Sequence, residues 1–256
     1  MSRITLIVLF LVYGLLVACS TTPAQMTYQL TPGTNGQMLR QSSAQALLEA
    51  TRAGDIAQVR NLLALGASAN AADPQGDTAL MRAARDGHDQ IVTALLEHNV
   101  QVWAQNRKGL TALMMASVKG YTGIVRQLVD NGANLNTRTP QGDTALILAS
   151  LFDQAGVTEV LLAHGALVNL REANGITALM IAADGGHAKI VQQLLEHGAN
   201  VHAATPGGES ALVLAKEKGY RTIIELLKRA GAVEPLGYRP SHEISRNDSG
   251  TVPAPV

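Results

Sequence analysis

The side chains best suited to catalysis or metal binding in this chain are seven histidines and one cysteine. Imidazole nitrogens can ligate zinc or transfer protons, and a thiolate can act as a nucleophile. The histidines, however, follow a 33-residue period: His88 and His187 occupy one position of it, and His98, His164 and His197 occupy another. Because residues that recur with a repeat are most simply explained as structural, we predict no metal site and no acid–base pair.

No motif of a catalytic or cofactor site accompanies these residues. The sequence contains no His-Glu-x-x-His zinc motif, no paired cysteines and no Gly-x-Ser-x-Gly elbow. The 20 basic and 20 acidic side chains balance, so no basic surface indicates nucleic acid as a partner. We therefore predict a protein that is not an enzyme, uses no cofactor and does not bind nucleic acid.

The cysteine lies at the end of an apolar N-terminal segment. Residues 4–17 are almost entirely apolar, and this length is short for a membrane span but typical of a signal peptide. The segment closes with Leu-Val-Ala-Cys19, which resembles the cleavage motif of bacterial lipoproteins. That resemblance implies a signal peptide over residues 1–18 and a lipid on Cys19, which would anchor the protein to a membrane. The alternative is an ordinary secretory signal that happens to end at a cysteine.

The residues on either side of the central region predict flexible ends. Ser20 follows the cysteine directly, whereas lipoproteins held in the inner membrane usually carry aspartate there, so the resemblance favours the periplasmic face of the outer membrane. Residues 19–41 are rich in Thr, Pro, Gln and Gly without apolar periodicity, which predicts a flexible tether. Residues 233–256 contain four prolines among polar residues, and we predict that they form a disordered tail.

The central region is organised by glycines that recur every 33 residues. A fixed period of this length marks a solenoid of stacked supersecondary units. Residues 42–232 are therefore predicted to form an all-α solenoid of about six helix-turn-helix units joined by short hairpin loops. The three glycine series are Gly76, Gly109, Gly142, Gly175 and Gly208; Gly54, Gly87, Gly120, Gly186 and Gly219; and Gly66, Gly132, Gly165, Gly198 and Gly231.

Local signals define where each helix begins and ends. A hydroxyl side chain, Thr78 and its equivalents, precedes each first helix and can accept a hydrogen bond from its free N–H groups. The glycine that follows allows the left-handed residue that ends the helix. Ser42 and Gln45 form a candidate capping box for the first unit. At the other end, Lys216 and Lys228 occupy inward positions where a buried charge would be costly, so we predict that the array ends there.

These features together resemble the ankyrin-repeat family. The matching residues are Gly-x-Thr-Ala-Leu at each unit start, Gly87-His88 at a mid-turn, and Gly-Ala-Asn-Val-His from Gly198. Where the family has Thr-Pro-Leu-His, this chain has alanine for proline and Met81 or another apolar residue for histidine. The threonine–histidine hydrogen bond of the family is thus absent, and we expect apolar packing in its place. The resemblance implies a monomer that binds another protein.

The candidate binding residues vary between units at positions that the ankyrin fold turns toward its concave face. They are apolar in the middle units and charged in the outer ones, and an exposed apolar patch with a polar rim is typical of a protein-binding site. Local repacking within the irregular fourth unit is the alternative. The predicted interface consists of Trp103, Lys108, Leu110, Val118, Lys119, Asp143, Leu151, Phe152, Ile176 and Asp184.

Two positions near this set break the repeat pattern. Asp153 stands where other units have a left-handed glycine, which costs on the order of 1 kcal/mol. Trp103, the only tryptophan, replaces the asparagine seen at Asn70. It is either an interface anchor or a plug for a gap beside the turn at Asn99.

We expect a lipid-anchored periplasmic module that binds one or more envelope proteins. An immunity protein that neutralises a secreted periplasmic toxin is one alternative, and an accessory scaffold for an envelope stress enzyme is the other. A neighbouring toxin gene favours the first alternative, and a neighbouring gene for an oxidative-stress enzyme favours the second.

Overall fold

The computed structural model describes residues 35–233 of the chain. The predicted signal peptide, Cys19 with residues 19–34 of the predicted tether, and residues 234–256 of the predicted tail lie outside the described residues. The signal peptide, the lipid anchor and the tail therefore stay predictions.

The described residues form six helix pairs, numbered here as units 1 to 6. This confirms the predicted all-α solenoid, and the described part of the chain contains isolated β-bridges but no strand. The helices are α1 (Asn35–Ala53) and α2 (Ile56–Ala64), α3 (Ala79–Asp86) and α4 (Asp89–Leu96), α5 (Ala112–Lys119) and α6 (Thr122–Asp130), α7 (Ala145–Leu151) and α8 (Ala155–Ala163), α9 (Ala178–Gly185) and α10 (Ala188–Glu196), and α11 (Ala211–Lys218) and α12 (Arg221–Arg229).

The helices stack in two layers. The first helix of each unit contacts the first helix of the next, and the second helices form a parallel layer in the same way. One continuous cluster of Leu, Ile, Val, Met and Ala side chains fills the space between them. Interior units are stabilised by neighbours on both sides, as in other solenoids. Between Asn35 and Val233, no helix combines the length and apolar composition that a bilayer span requires.

The predicted helix starts and stops are confirmed. Thr144 Oγ1 accepts a hydrogen bond from the Ile147 N–H at 3.3 Å, and Thr78, Thr111, Thr177 and Ser210 cap their helices in the same way. Asp153 has the left-handed conformation expected from its position, with φ 54°.

The turn between the two helices of a unit is covered by the next unit. Gly87 has φ 79°, and a Cβ atom there would lie 2.7 Å from the Tyr121 ring. His88 covers the equivalent Gly54, where a Cβ atom would lie 2.9 Å from the imidazole. A residue other than glycine at these turns would therefore have a strained backbone and would displace the covering side chain.

Four of the recurring histidines have structural contacts. Besides His88, His187 lies with Nδ1 3.3 Å from Asp153 Oδ1. His164 and His197 place Nδ1 at 2.7 Å and 2.9 Å from backbone carbonyl oxygens of their own helices. The imidazoles thus contact neighbouring turns and helix ends, and the prediction that they hold no metal stays a prediction.

The boundary predicted at residue 42 is wrong. Helix α1 already begins at Asn35, so Ser42 and Gln45 lie inside a helix and do not form its capping box. Residues 35–41, predicted as tether, are helical as well. The physical reason is that Gln, Met, Leu and Arg side chains lose little freedom in a helix, so weak apolar periodicity did not prevent helix formation. At the opposite end of the described residues, Lys216 and Lys228 are exposed on unit 6.

Candidate protein-binding surface

The C-terminal ends of three first-layer helices bring half of the predicted interface together. Helices α5, α7 and α9 contact one another in order, so their equivalent ends lie side by side. We call Val118, Lys119, Leu151, Phe152 and Asp184 the helix-end surface. Lys119 is exposed, and the other four side chains are half-buried.

Hydrogen bonds between units hold this surface in a fixed geometry. Gln154 Nε2 donates to the Val118 carbonyl oxygen at 3.3 Å, which ties the end of α5 to the turn after α7. The contact between Asp153 and His187 ties that turn to unit 5. Because the helix ends are held before a partner arrives, little ordering entropy is lost on binding.

The prediction that Asp143 and Ile176 are exposed is wrong. Each of the two residues is only 3% exposed, and Leu110, at the equivalent position of unit 3, is half-buried against the core. These residues lie where a hairpin meets the first turn of a helix, and the next unit covers that place. They belong to the packed interior of the array, and the exposed apolar patch is smaller than predicted.

Polar residues at one position of the 33-residue repeat stabilise the hairpins. The sequence-based expectations did not include this column of residues. Asn106 Oδ1 accepts hydrogen bonds from the N–H groups of Lys108 and Leu110, both at 2.9 Å. In unit 4, Thr139 Oγ1 accepts from the Asp143 N–H at 3.1 Å. Lys108 is exposed at the tip of its hairpin. Aligning the sequence at the 33-residue period would have revealed the column, since every member is polar: Asp73, Asn106, Thr139, Glu172 and Thr205.

A ladder of hydrogen bonds joins successive hairpins, and it too was not predicted from the sequence. Gln105 Nε2 donates to the Arg138 carbonyl oxygen at 3.3 Å, and the Arg138 guanidinium donates to the Arg171 carbonyl oxygen at 2.6 Å. Arg171 continues the ladder to the carbonyl oxygen of Ala204 at 3.0 Å. These cations therefore contribute to the cohesion of the array.

A family model of ankyrin repeats matches three overlapping stretches, residues 15–106, 100–172 and 155–235. The chain belongs to the ankyrin-repeat family. The ankyrin fold is typically a protein-interaction scaffold without enzymatic activity, so this protein is a protein-binding scaffold.

Solved ankyrin structures agree with this assignment. The chain is similar to an ankyrin repeat domain from Acinetobacter baumannii, with 33% identity over 73% of this chain and 98% of that chain and a TM-score of 0.69. It is also similar to the ankyrin repeat domain of Bcl-3, a member of the IkappaB family, with 28% identity, coverage of 73% and 86%, and a TM-score of 0.68. No curated protein matches the chain.

Three carboxyl groups in units 4 and 5, of buried Asp143 and Glu172 and half-buried Asp184, have raised pKa values. Burial raises the pKa of Asp143, although the Thr139 hydroxyl, which donates to Asp143 Oδ2 at 3.0 Å, opposes the shift. Burial also raises the pKa of Glu172, with a further contribution from Asp143. Burial raises the pKa of Asp184 against the opposing charge of Lys218, whose Nζ is 3.7 Å away.

Among residues 35–233, no group of three or more His, Cys, Asp or Glu side chains is arranged to hold a metal ion.

We expect Asp143→Asn to stabilise the domain at neutral pH. Since the folded-state pKa is raised, the stability that this carboxyl group contributes is present below its unfolded-state pKa and is lost as the pH rises through its folded-state pKa. The expected gain at pH 7 is about 1 kcal/mol, the net scale of one buried polar interaction. Urea unfolding between pH 4 and pH 8 measures it, with exposed Glu159→Gln as the control. A variant with the pH dependence of the wild type would contradict the argument.

The remaining predicted residue lies away from the helix-end surface. Trp103 is on the loop that follows α4, and 62% of its surface is exposed. A side chain with this exposure does not plug a gap, so the structure rejects that alternative for Trp103.

Proposed function

We propose that this ankyrin protein is anchored through Cys19 to the periplasmic face of the outer membrane. There, its helix-end surface binds an envelope protein. The main support for the proposed binding surface is Phe152, because it is the one aromatic residue at its position in the 33-residue repeat. The equivalent positions are Asp86, Lys119, Gly185 and Lys218. Aromatic residues in the centre of an interface commonly supply most of its binding energy.

The surroundings of Phe152 have the composition of a small interface. Leu151 and Val118 lie beside it and are half-buried against the core, which leaves part of each apolar side chain for a partner. Lys119 is exposed on one side, and Asp184 with Lys218 lies on the other. An apolar centre with a charged rim is the common anatomy of protein–protein interfaces.

The position of helix α1 supports the anchoring part of the proposal. With Asn35 as the first helical residue of the described part, the 15 residues 20–34 separate the array from the proposed lipid on Cys19. A flexible segment of this length has a root-mean-square span of roughly 22 Å. The array would therefore remain close to the membrane, where an envelope protein is within reach.

Phe152→Ala tests the proposed surface. We expect affinity for the partner to fall by about 2 kcal/mol, or roughly thirtyfold, as for other aromatic anchors. Because Phe152 is half-buried, the free energy of unfolding should fall by only about 1 kcal/mol. The partner is first recovered from an envelope fraction by pull-down and mass spectrometry, and its affinity is then measured with purified proteins.

Leu65→Ala is the matched control, since Leu65 is 76% exposed and lies in unit 1. It should leave the affinity unchanged. If Phe152→Ala lowers stability while the partner binds as tightly as before, Phe152 is a packing residue and the helix-end surface is not the interface.

A further inference from the structure

The large apolar side chains that protrude from the array collect at one end of its helices. Within residues 35–233, Leu65, Trp103, Leu167 and Val233 are between 55% and 76% exposed. Leu65 directly follows α2, and the other three lie in the loops after α4, α8 and α12. Tyr220, at a turn between two helices, is the fifth such side chain of the described residues and is less exposed. Four of the five therefore lie where second-layer helices end.

The loops that carry these side chains form one continuous edge. The second-layer helices contact one another in order, so their C-terminal ends lie side by side. Hydrogen bonds also join successive loops: Asn70 Oδ1 accepts from the Gln101 N–H at 2.7 Å, and Asn136 Oδ1 accepts from the Leu167 N–H at 2.9 Å. At the usual distance between packed helices, the edge is about 50 Å long. We call residues 65–71, 98–104, 131–137, 164–170, 197–203 and 230–233 the loop edge.

The loop edge carries no Asp, Glu, Lys or Arg residue in any of the six units. These four residue types make up 16% of the chain, so an edge of this length without them is a departure from the average surface. Charged side chains begin at the flanking helix ends, with exposed Glu97 after α4 and exposed Asp130 at the end of α6. Because burying an unpaired charge is costly, an uncharged edge with protruding apolar side chains is suited to contact with an apolar phase.

The chain enters the array at the same end. Helix α1 packs against α2, and a turn of only two residues joins them, so the two helices run antiparallel. The N-terminal end of α1 at Asn35 therefore lies at the end of unit 1 that carries Leu65. Residues 20–34, which connect Asn35 to the proposed lipid on Cys19, lead to this end of the array.

We propose that the loop edge lies on the membrane surface, with Leu65, Trp103, Leu167 and Val233 inserted among the lipid headgroups. This inference rests on the proposed anchor at Cys19 and adds the orientation of the anchored array. Tryptophan suits such a contact, because its amphipathic ring prefers the interface between water and hydrocarbon. Side chains spread over about 50 Å match a flat, extended surface better than the pocket of one protein partner.

The helix-end surface stays accessible in this orientation. Phe152 lies at the turn between α7 and α8, whereas Leu167 lies beyond the other end of α8. The membrane contact and the proposed protein contact are thus at opposite ends of the helices. Four separated side chains contribute little attachment by themselves, so the acyl chains hold the protein and the loop edge orients it.

The fluorescence of Trp103, the only tryptophan of the chain, tests the contact directly. The lipidated protein is purified in detergent and reconstituted into vesicles of phosphatidylethanolamine and phosphatidylglycerol, with and without bromine on the acyl chains near the headgroup. We expect the Trp103 emission to shift to shorter wavelength and to be quenched by bromine. Cys19→Ala protein mixed with the same vesicles should keep the emission of an indole in water.

A double variant, Leu65→His with Leu167→Asn, tests the orientation while keeping the fluorescent residue. Other units carry these residues at the same positions, as His164 and Asn200, so the variant should unfold at the temperature of the wild type. Each leucine should change the equilibrium between the docked and undocked orientations by about tenfold, so we expect bromine quenching to fall at least about twofold.

Tyr220→His is the matched control. Tyr220 is the remaining exposed side chain of the set but lies at the opposite end of the helices, and His187 occupies the same position in unit 5. Bromine quenching of Trp103 should be the same in this variant as in the wild type.

The proposal would be overturned if the wild type sediments with the vesicles while bromine does not quench Trp103, or if the double variant is quenched as strongly as the wild type. Wild-type protein that does not sediment would show that the anchor itself is absent, and both proposals would then be wrong. A shift of the Trp103 emission that grows with protein concentration in the absence of lipid would assign the loop edge to contact between copies of the chain.

Discussion

Ser150→Lys is expected to lower the free energy of unfolding by about 4 kcal/mol, because it places an unpaired charge inside the array. Ser150 is fully buried in α7, and its hydroxyl donates to the Leu146 carbonyl oxygen at 2.8 Å. First-layer helices stack on both sides of α7, so a lysine chain there has no direct route to solvent. Urea unfolding followed by circular dichroism measures the loss.

Lys216→Ser is the matched control for this substitution. Lys216 has the same register as Ser150, but it is exposed on the terminal unit. Because no charge moves between water and the interior, stability should change by less than about 1 kcal/mol. Equal stability of Ser150→Lys and the wild type would show that the interior of the array accommodates a charge. The account of why the repeats end at unit 6 would then be wrong.

Cys19→Ala is expected to release the protein from membranes completely. In the proposed lipoprotein, the acyl chains on this residue form the membrane anchor, and Cys19 is the only cysteine available for lipidation. Each buried methylene contributes about 0.8 kcal/mol to membrane attachment. No helix within residues 35–233 is suited to span the bilayer in its place. Cell fractionation followed by immunoblotting measures the result.

A second variant tests the choice of membrane. Ser20→Asp places after the cysteine the residue that lipoproteins of the inner membrane usually carry. The protein should then move from the outer-membrane fraction to the inner-membrane fraction and stay attached. If Cys19→Ala protein still sediments with the outer membrane, the lipoprotein interpretation is contradicted.

Much of the fold could be predicted from the sequence because the signals are local and repeated. A helix start needs an acceptor such as Thr144 for its free N–H groups, and a helix stop needs a left-handed residue such as Gly87 or, less favourably, Asp153. Both requirements are satisfied by residues within a few positions of the helix end, so they can be recognised from local sequence. The 33-residue period therefore predicted six units, the N-caps of the first helices of units 2 to 6 and the turns, whereas the predicted cap of unit 1 was wrong.

Which of the predicted binding residues are exposed could not be read from the sequence, because exposure depends on tertiary structure. Local pattern did not show that Asp143 and Ile176 are buried while Trp103 is exposed, since exposure in a solenoid depends on how far the neighbouring unit covers each position. The polar clamps made by Asn70 and Gln154 join residues about 30 positions apart, and only stacking brings them into hydrogen-bonding distance. Register identified Trp103 as an exception, and only the tertiary structure showed that its side chain is exposed.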